Sequence, residues 1–98
     1  MDKFEFSEKL YSYCKDAIQF HGKKDQLIKV AEELNELQTE AFQALKGKPD
    51  KNHMVEEIGD VVIMICQLKM IYGISDAEIR DWILFKIMRE REKMQGQA

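Results

Sequence analysis

The chain has 98 residues, 45% of them hydrophobic and 34% charged, with one proline and five glycines. That length fits one small domain, residues 1–98, and the apolar fraction is too high for a disordered chain. Lys and Arg number 15 and Asp and Glu number 18, leaving a net charge of −3, which disfavours a nucleic acid polymer as partner because such binding rests on neutralising phosphates.

Three interruptions, Gly22, Gly47-Lys48-Pro49-Asp50 and Gly73, divide the chain into four blocks of helical period. The first is expected over about Asp2 to His21, where Leu10, Cys14, Ala17 and Ile18 form a helix-spaced stripe. The second is expected over about Lys24 to Lys46, where Leu27, Val30, Leu34, Leu37, Ala41 and Leu45 repeat at threes and fours.

The third block, about Asn52 to Tyr72, is apolar almost all round. Between Val61 and Tyr72 only Gln67 and Lys69 offer a polar face. Such a helix must be covered on more than one side. A 98-residue chain has little material to do so, so one face is expected to pack within the protomer and another at a subunit interface. The alternative is a helix enclosed within a monomer. The fourth block starts at Ser75 and runs to about Met94. Ser75 with Glu78 three residues later is a capping box, in which two otherwise unpaired N–H groups are satisfied reciprocally. The expected fold is all-α, a four-helix bundle-like protomer assembling into a dimer or tetramer.

Cys14 and Cys66 have neither a second Cys nor a His at metal-ligand spacing, and read as reduced, buried thiols. The most apolar run, Val61 to Cys66, is far shorter than the ~20 residues of a membrane span. The start, Met-Asp-Lys-Phe-Glu, lacks the basic-then-apolar layout of a signal peptide. The expectation is a cytoplasmic protein without a membrane partner.

Glu33, Glu36 and Glu40 on the second helix fall within an arc of about 60°. Like charges at this spacing repel, so helix stability does not explain them; a solvated face would. The third helix opens with Glu56-Glu57-Ile58-Gly59-Asp60, and Glu57 and Asp60 again share a face. Acids that lead straight into the most apolar helix are costly unless paired or metal-bound. If the two helices run antiparallel through the loop at Pro49, the pairs Glu33/Glu36 and Glu57/Asp60 reach similar heights and four carboxylates converge. An all-oxygen set without His suits Mg²⁺, with Mn²⁺ as a substitute, and argues against a Glu-x-x-His di-iron site. Mg²⁺ that keeps several waters usually works on phosphates. On the fourth helix Lys86, Arg89 and Lys93 share a face that could hold phosphate oxygens; a solvated basic helix end explains Lys93 equally well.

Glu33-Leu34-Asn35-Glu36, followed after twenty residues by Glu57-Ile58-Gly59-Asp60-Val61, resembles the Glu-x-x-Glu…Glu-x-x-Asp signature of the all-α nucleoside triphosphate pyrophosphohydrolases. That superfamily includes MazG, dCTP pyrophosphatase, dimeric dUTPase and phosphoribosyl-ATP pyrophosphohydrolase. Phe20-His21-Gly22, Glu36-Leu37, Asp60-Val61-Val62-Ile63 and the late Lys86-x-x-Arg89 are similar to the MazG-like branch, over roughly residues 17 to 91. The resemblance implies hydrolysis of a nucleoside triphosphate, a dNTP or a non-canonical NTP, to monophosphate and pyrophosphate, and with it a role in cleaning the nucleotide pool. It implies Mg²⁺ held by Glu33, Glu36, Glu57 and Asp60, and a homodimer or homotetramer with the base pocket near the subunit interface. It places His21 and Lys24 near the substrate, and Lys86 and Arg89 near the phosphates. Two positions depart from base-selective relatives: Met64 stands four after Asp60 where some have an aromatic residue, and Glu90 stands four after Lys86 where some have Asn.

Metal-bound water attacking phosphorus needs a proton acceptor. Glu36, with Glu33 beside it, is the candidate. Glu40 and Glu56 flank the set and read as supporting or surface acids. His21 also reads as a helix-end residue, and Trp82 as a core or interface residue. Two other functions fit the sequence: a non-enzymatic helical module that binds a partner through the third helix, and a domain that senses nucleotide with slow turnover.

Overall fold

Four α-helices follow one another: α1 Lys3–His21, α2 Lys23–Leu45, α3 Lys51–Tyr72 and α4 Asp76–Gly96. The computed structural model describes residues 1–96, and no strand occurs among them. Local chemistry sets the ends. Asp2 caps α1 by accepting the Glu5 N–H at 2.8 Å, and Asp50 caps α3 by accepting the His53 N–H at 3.1 Å. Gly73 ends α3 in the left-handed region, φ 66° and ψ 37°, which a side chain would disfavour. The capping box forms as expected. Glu78 Oε2 accepts the Ser75 N–H at 2.8 Å, and Ser75 Oγ accepts the Glu78 N–H at 3.1 Å.

Helices α1, α2 and α3 pack on one another, with the largest interface between α2 and α3. Among the described residues α4 packs against none of them and leaves α3 through a 114° bend. The radius of gyration, 16.5 Å, exceeds the about 13 Å of a compact chain of this size. The chain is therefore all-α as expected, but the bundle within one protomer has three members. The reason lies in α4 itself. Trp82, Ile83, Leu84, Phe85, Ile87 and Met88 are spread around its circumference, so it has no single apolar stripe to lay on α1–α3, and all six are exposed. Trp82, expected in a core or interface, lies open beside Phe85 at 5.6 Å. Among the described residues no single helix is long and apolar enough to cross a membrane.

The apolar core is small: Cys14 and Ala17 from α1, Val30 from α2, Val61 and Met64 from α3. Cys14 Sγ donates to the Ile63 carbonyl at 3.5 Å and ties α1 to α3. Burial among apolar neighbours, with the Cys66 thiol next in effect, pushes the Cys14 thiol up to about 12. Cys66 is half-buried, not fully buried as expected.

Two expectations about faces change. On α2 the residues turned inward are Gln26, Val30 and Glu33, followed by half-buried Leu37 and Glu40; Leu34 and Leu45 are exposed. Both faces of α2 have helical period, and period alone does not say which one meets α3. On α3, Gln67 is not part of a polar face. It lies on the same side as Val61 and Met64 and is only 1% exposed. The opposite side of α3, with Val55, Ile58, Val62 and Ile65, is open, so α3 is not enclosed within this protomer.

Candidate functional site

The α2–α3 register can be read residue by residue. Glu40 lies 3.7 Å from His53, and carboxylate oxygens of Glu36 and Glu57, and of Glu33 and Asp60, come within 4.8 Å of each other. As the position on α2 falls, its partner on α3 rises by the same step, which is an antiparallel ladder. The same steps carry the ladder on to Lys29 opposite Met64 and Gln26 opposite Gln67, and these four residues line one cavity.

At the centre of the ladder Glu33, Glu36, Glu57 and Asp60 converge. Each offers a carboxylate oxygen, and the four oxygens lie within 4.8 Å of one another. Glu33 is buried, Glu57 and Asp60 are half-buried, and Glu36 is exposed. Among the described residues Lys29 is the one cation paired with the set, 3.7 Å from Glu33. Burial, then the neighbouring Glu36 and Asp60, pushes the Glu33 carboxyl above its ordinary value. Glu57 is pushed up by burial and then by Glu36. Glu33 Oε2 and Glu57 Oε2 are buried with no hydrogen-bond partner. Buried oxygens without partners, in a cluster of like charge, match what a hard divalent cation accepts. The residues present therefore fit such an ion. Glu40 is occupied by His53, which also lies 3.4 Å from Asp50, and Glu56 is exposed; neither joins the four.

Two adjoining cavities border the acids. One, about 280 Å³, is lined by Tyr13, Lys29, Glu33, Asp60, Ile63 and Met64. The second, about 330 Å³, shares Tyr13, Lys29 and Met64 with it and extends to His21, Gln26 and Gln67. His21 is thus brought to the site's rim, where it stands edge-on to Phe20 at 4.8 Å. Lys24 is exposed at the start of α2 and lines neither of these cavities. Lys86 and Arg89 are not brought to the acids within this protomer, because α4 packs on no other helix. Lys86 pairs with Glu90 at 3.3 Å, and Arg89 lies 5.6 Å from the centre of the Phe85 ring. Lys86 and Lys93 hold the Glu90 carboxyl below its usual range.

Gln26, Gln67, Lys29 and Tyr13 were not singled out by the sequence. For Lys29 a signal existed in its i,i+4 spacing to Glu33. For Gln67 it was a lone amide within an apolar run. No protein-family model, curated protein or solved structure matches the chain.

Proposed function

We propose that this chain is a MazG-like, Mg²⁺-dependent nucleoside triphosphate pyrophosphohydrolase, converting a dNTP or non-canonical NTP and water to the monophosphate and pyrophosphate. The observation that carries the reading is the convergence of Glu33, Glu36, Glu57 and Asp60, two of whose buried oxygens have no partner. Glu33, Glu57 and Asp60 would hold the cation, with Glu36 completing the set from the solvent side. Mg²⁺ bound there, or Mn²⁺ in its place, would lower the pKa of a coordinated water and polarise a phosphoryl oxygen. Glu36, the most open of the four, would take the proton from the attacking water as the anhydride bond between the α- and β-phosphates breaks. Glu33 would orient that water from the buried side. His21 would meet the nucleotide at the rim, while Lys24, which lines neither cavity, would reach it only from outside them.

The exposed apolar residues of α3 and α4 support a homodimer or homotetramer. In such an assembly Lys86 and Arg89 would reach the phosphates from a helix that forms no packed interface with α1, α2 or α3 and is tied to α3 by the Lys69–Asp76 ion pair. The free thiols Cys14 and Cys66 fit a reducing, cytoplasmic setting. The same open faces favour a second reading, a helical module that captures another protein without catalysis.

Incubation of the protein with each dNTP and NTP and millimolar Mg²⁺, with pyrophosphate as the readout, tests the proposal. Release from at least one nucleotide, lost in Glu57→Gln, is expected. If no nucleotide yields pyrophosphate at micromolar protein and none binds, the enzymatic reading is wrong.

A further inference from the structure

Among the described residues Gln67 is the most buried polar side chain, 1% exposed, and its Oε1 accepts no hydrogen bond. A buried amide oxygen left without a donor is costly, and native proteins rarely keep one without a use. Gln67 lines the cavity of about 330 Å³ next to the acids, within the size of small-molecule pockets. Its ladder partner Gln26 is already engaged, Nε2 donating to the Ala17 carbonyl at 3.4 Å. The amide of Gln67 also sits against the Cys14 thiol. What remains free is an acceptor.

The layer of Gln26 and Gln67 lies seven residues along α2 from the layer of Glu33 and Asp60, which is about 10 Å. A ribose spans that kind of gap between a base and its phosphates. Met64, shared by both cavities, gives an apolar wall for a ring between them. Asp25 and Glu32 add further acceptors to the same cavity. The cavity also holds donors, among them Lys29, so the lining as a whole does not choose between bases. The group in it that lacks a donor is Gln67, which favours a base edge carrying an amino group.

We propose that Gln67 determines base specificity by accepting a hydrogen bond from the exocyclic amino group of the nucleobase, selecting amino-bearing bases over their keto counterparts. This rests on the nucleotide reading of the acid site above. A keto oxygen in place of the amino group leaves the base oxygen and Gln67 Oε1 facing each other unpaired, and a site built to bond a donor rejects analogues that lack it.

The test compares kcat/KM for two pairs that differ mainly in amino against keto: dCTP with dUTP, and dATP with dITP. The wild-type protein is expected to prefer the amino member by about 10- to 100-fold in at least one pair. Gln67→Leu is expected to bring that ratio close to one. Because Gln67 is buried, Gln67→Met, of similar length, is measured alongside. The side-chain amide resonance of Gln67, followed by NMR during titration with dCMP and dUMP, needs no variant. It is expected to shift with dCMP and stay in place with dUMP. Hydrolysis without amino preference, a preference that survives in both variants, or an amide signal indifferent to dCMP overturns the assignment of Gln67 and leaves the enzymatic reading standing. No hydrolysis and no binding of any of the four nucleotides overturns the assignment of Gln67, and the full panel of dNTPs and NTPs decides the enzymatic reading separately.

Discussion

Glu33 and Asp60 face each other across the α2–α3 interface, one buried and one half-buried, with carboxylate oxygens within 4.8 Å of each other. The Glu36–Glu57 pair repeats the arrangement one step nearer the loop. Without a cation this is a strained arrangement, and the strain has a pH dependence. Glu33 and Glu57 have carboxyl groups raised above the ordinary 4.5 in the folded state. The folded chain therefore binds these protons more tightly than the unfolded chain. The stabilising effect is fully present below pH 4.5 and is lost as the pH rises through the raised values. Metal-free protein in chelator is expected to lose melting temperature from this contribution across that window. Millimolar Mg²⁺ should restore it at neutral pH. Thermal melts at a series of pH values, with and without Mg²⁺, check both.

Replacing one acid separates charge from ligation. Glu57→Gln removes one negative charge from the cluster while keeping the side chain's shape. The metal-free variant is expected to melt higher than wild type, and its gain on adding Mg²⁺ should shrink towards zero. Pyrophosphate release should fall on the order of 10²-fold or more. An unchanged response to Mg²⁺ would remove Glu57 from the cation site.

The open stripe on α3 gives a prediction about assembly. Val62 and Ile65 are 43% and 45% exposed on the helix with the most apolar run. Sedimentation equilibrium is expected to show a dimer or tetramer at micromolar concentration. Ile65→Asp should shift it towards monomer, because a carboxylate in an apolar interface is uncompensated. A wild-type chain that sediments as a monomer at all concentrations contradicts the proposed assembly.

Gly73 sets the corner between α3 and α4. A Cβ there meets nothing within 4 Å, so the cost of Gly73→Ala is the left-handed backbone alone. The variant is expected to lose roughly 1 kcal/mol. A lower urea midpoint with an unchanged slope measures it.

The ends of all four helices were legible in the sequence to within one or two residues, because glycine, proline and capping side chains act locally. So was the acid quartet. Antiparallel helices joined by a short loop bring equal heights together, and that follows from the helical rise and chain length alone. Two things were not legible. Period identified apolar positions on α2 but not which face would meet α3, since Leu34 and Leu45 suit an interface as well as Val30 suits a core. Gln67 looked like the polar side of α3 and is instead its most buried residue, aligned with Gln26 by the register of the ladder.

The features legible from the chain alone are local: four helices, their stops, and four carboxylates at matched spacing. Packing determines that Glu33, Glu57 and Asp60 turn inward, that an amide without a hydrogen-bond partner on its oxygen borders their cleft, and that α4 forms no interface with α1, α2 or α3. The physical reason is that helix formation follows from neighbours along the chain. The choice between two helix faces follows from which partner surface each one meets, and that is a property of the packed whole.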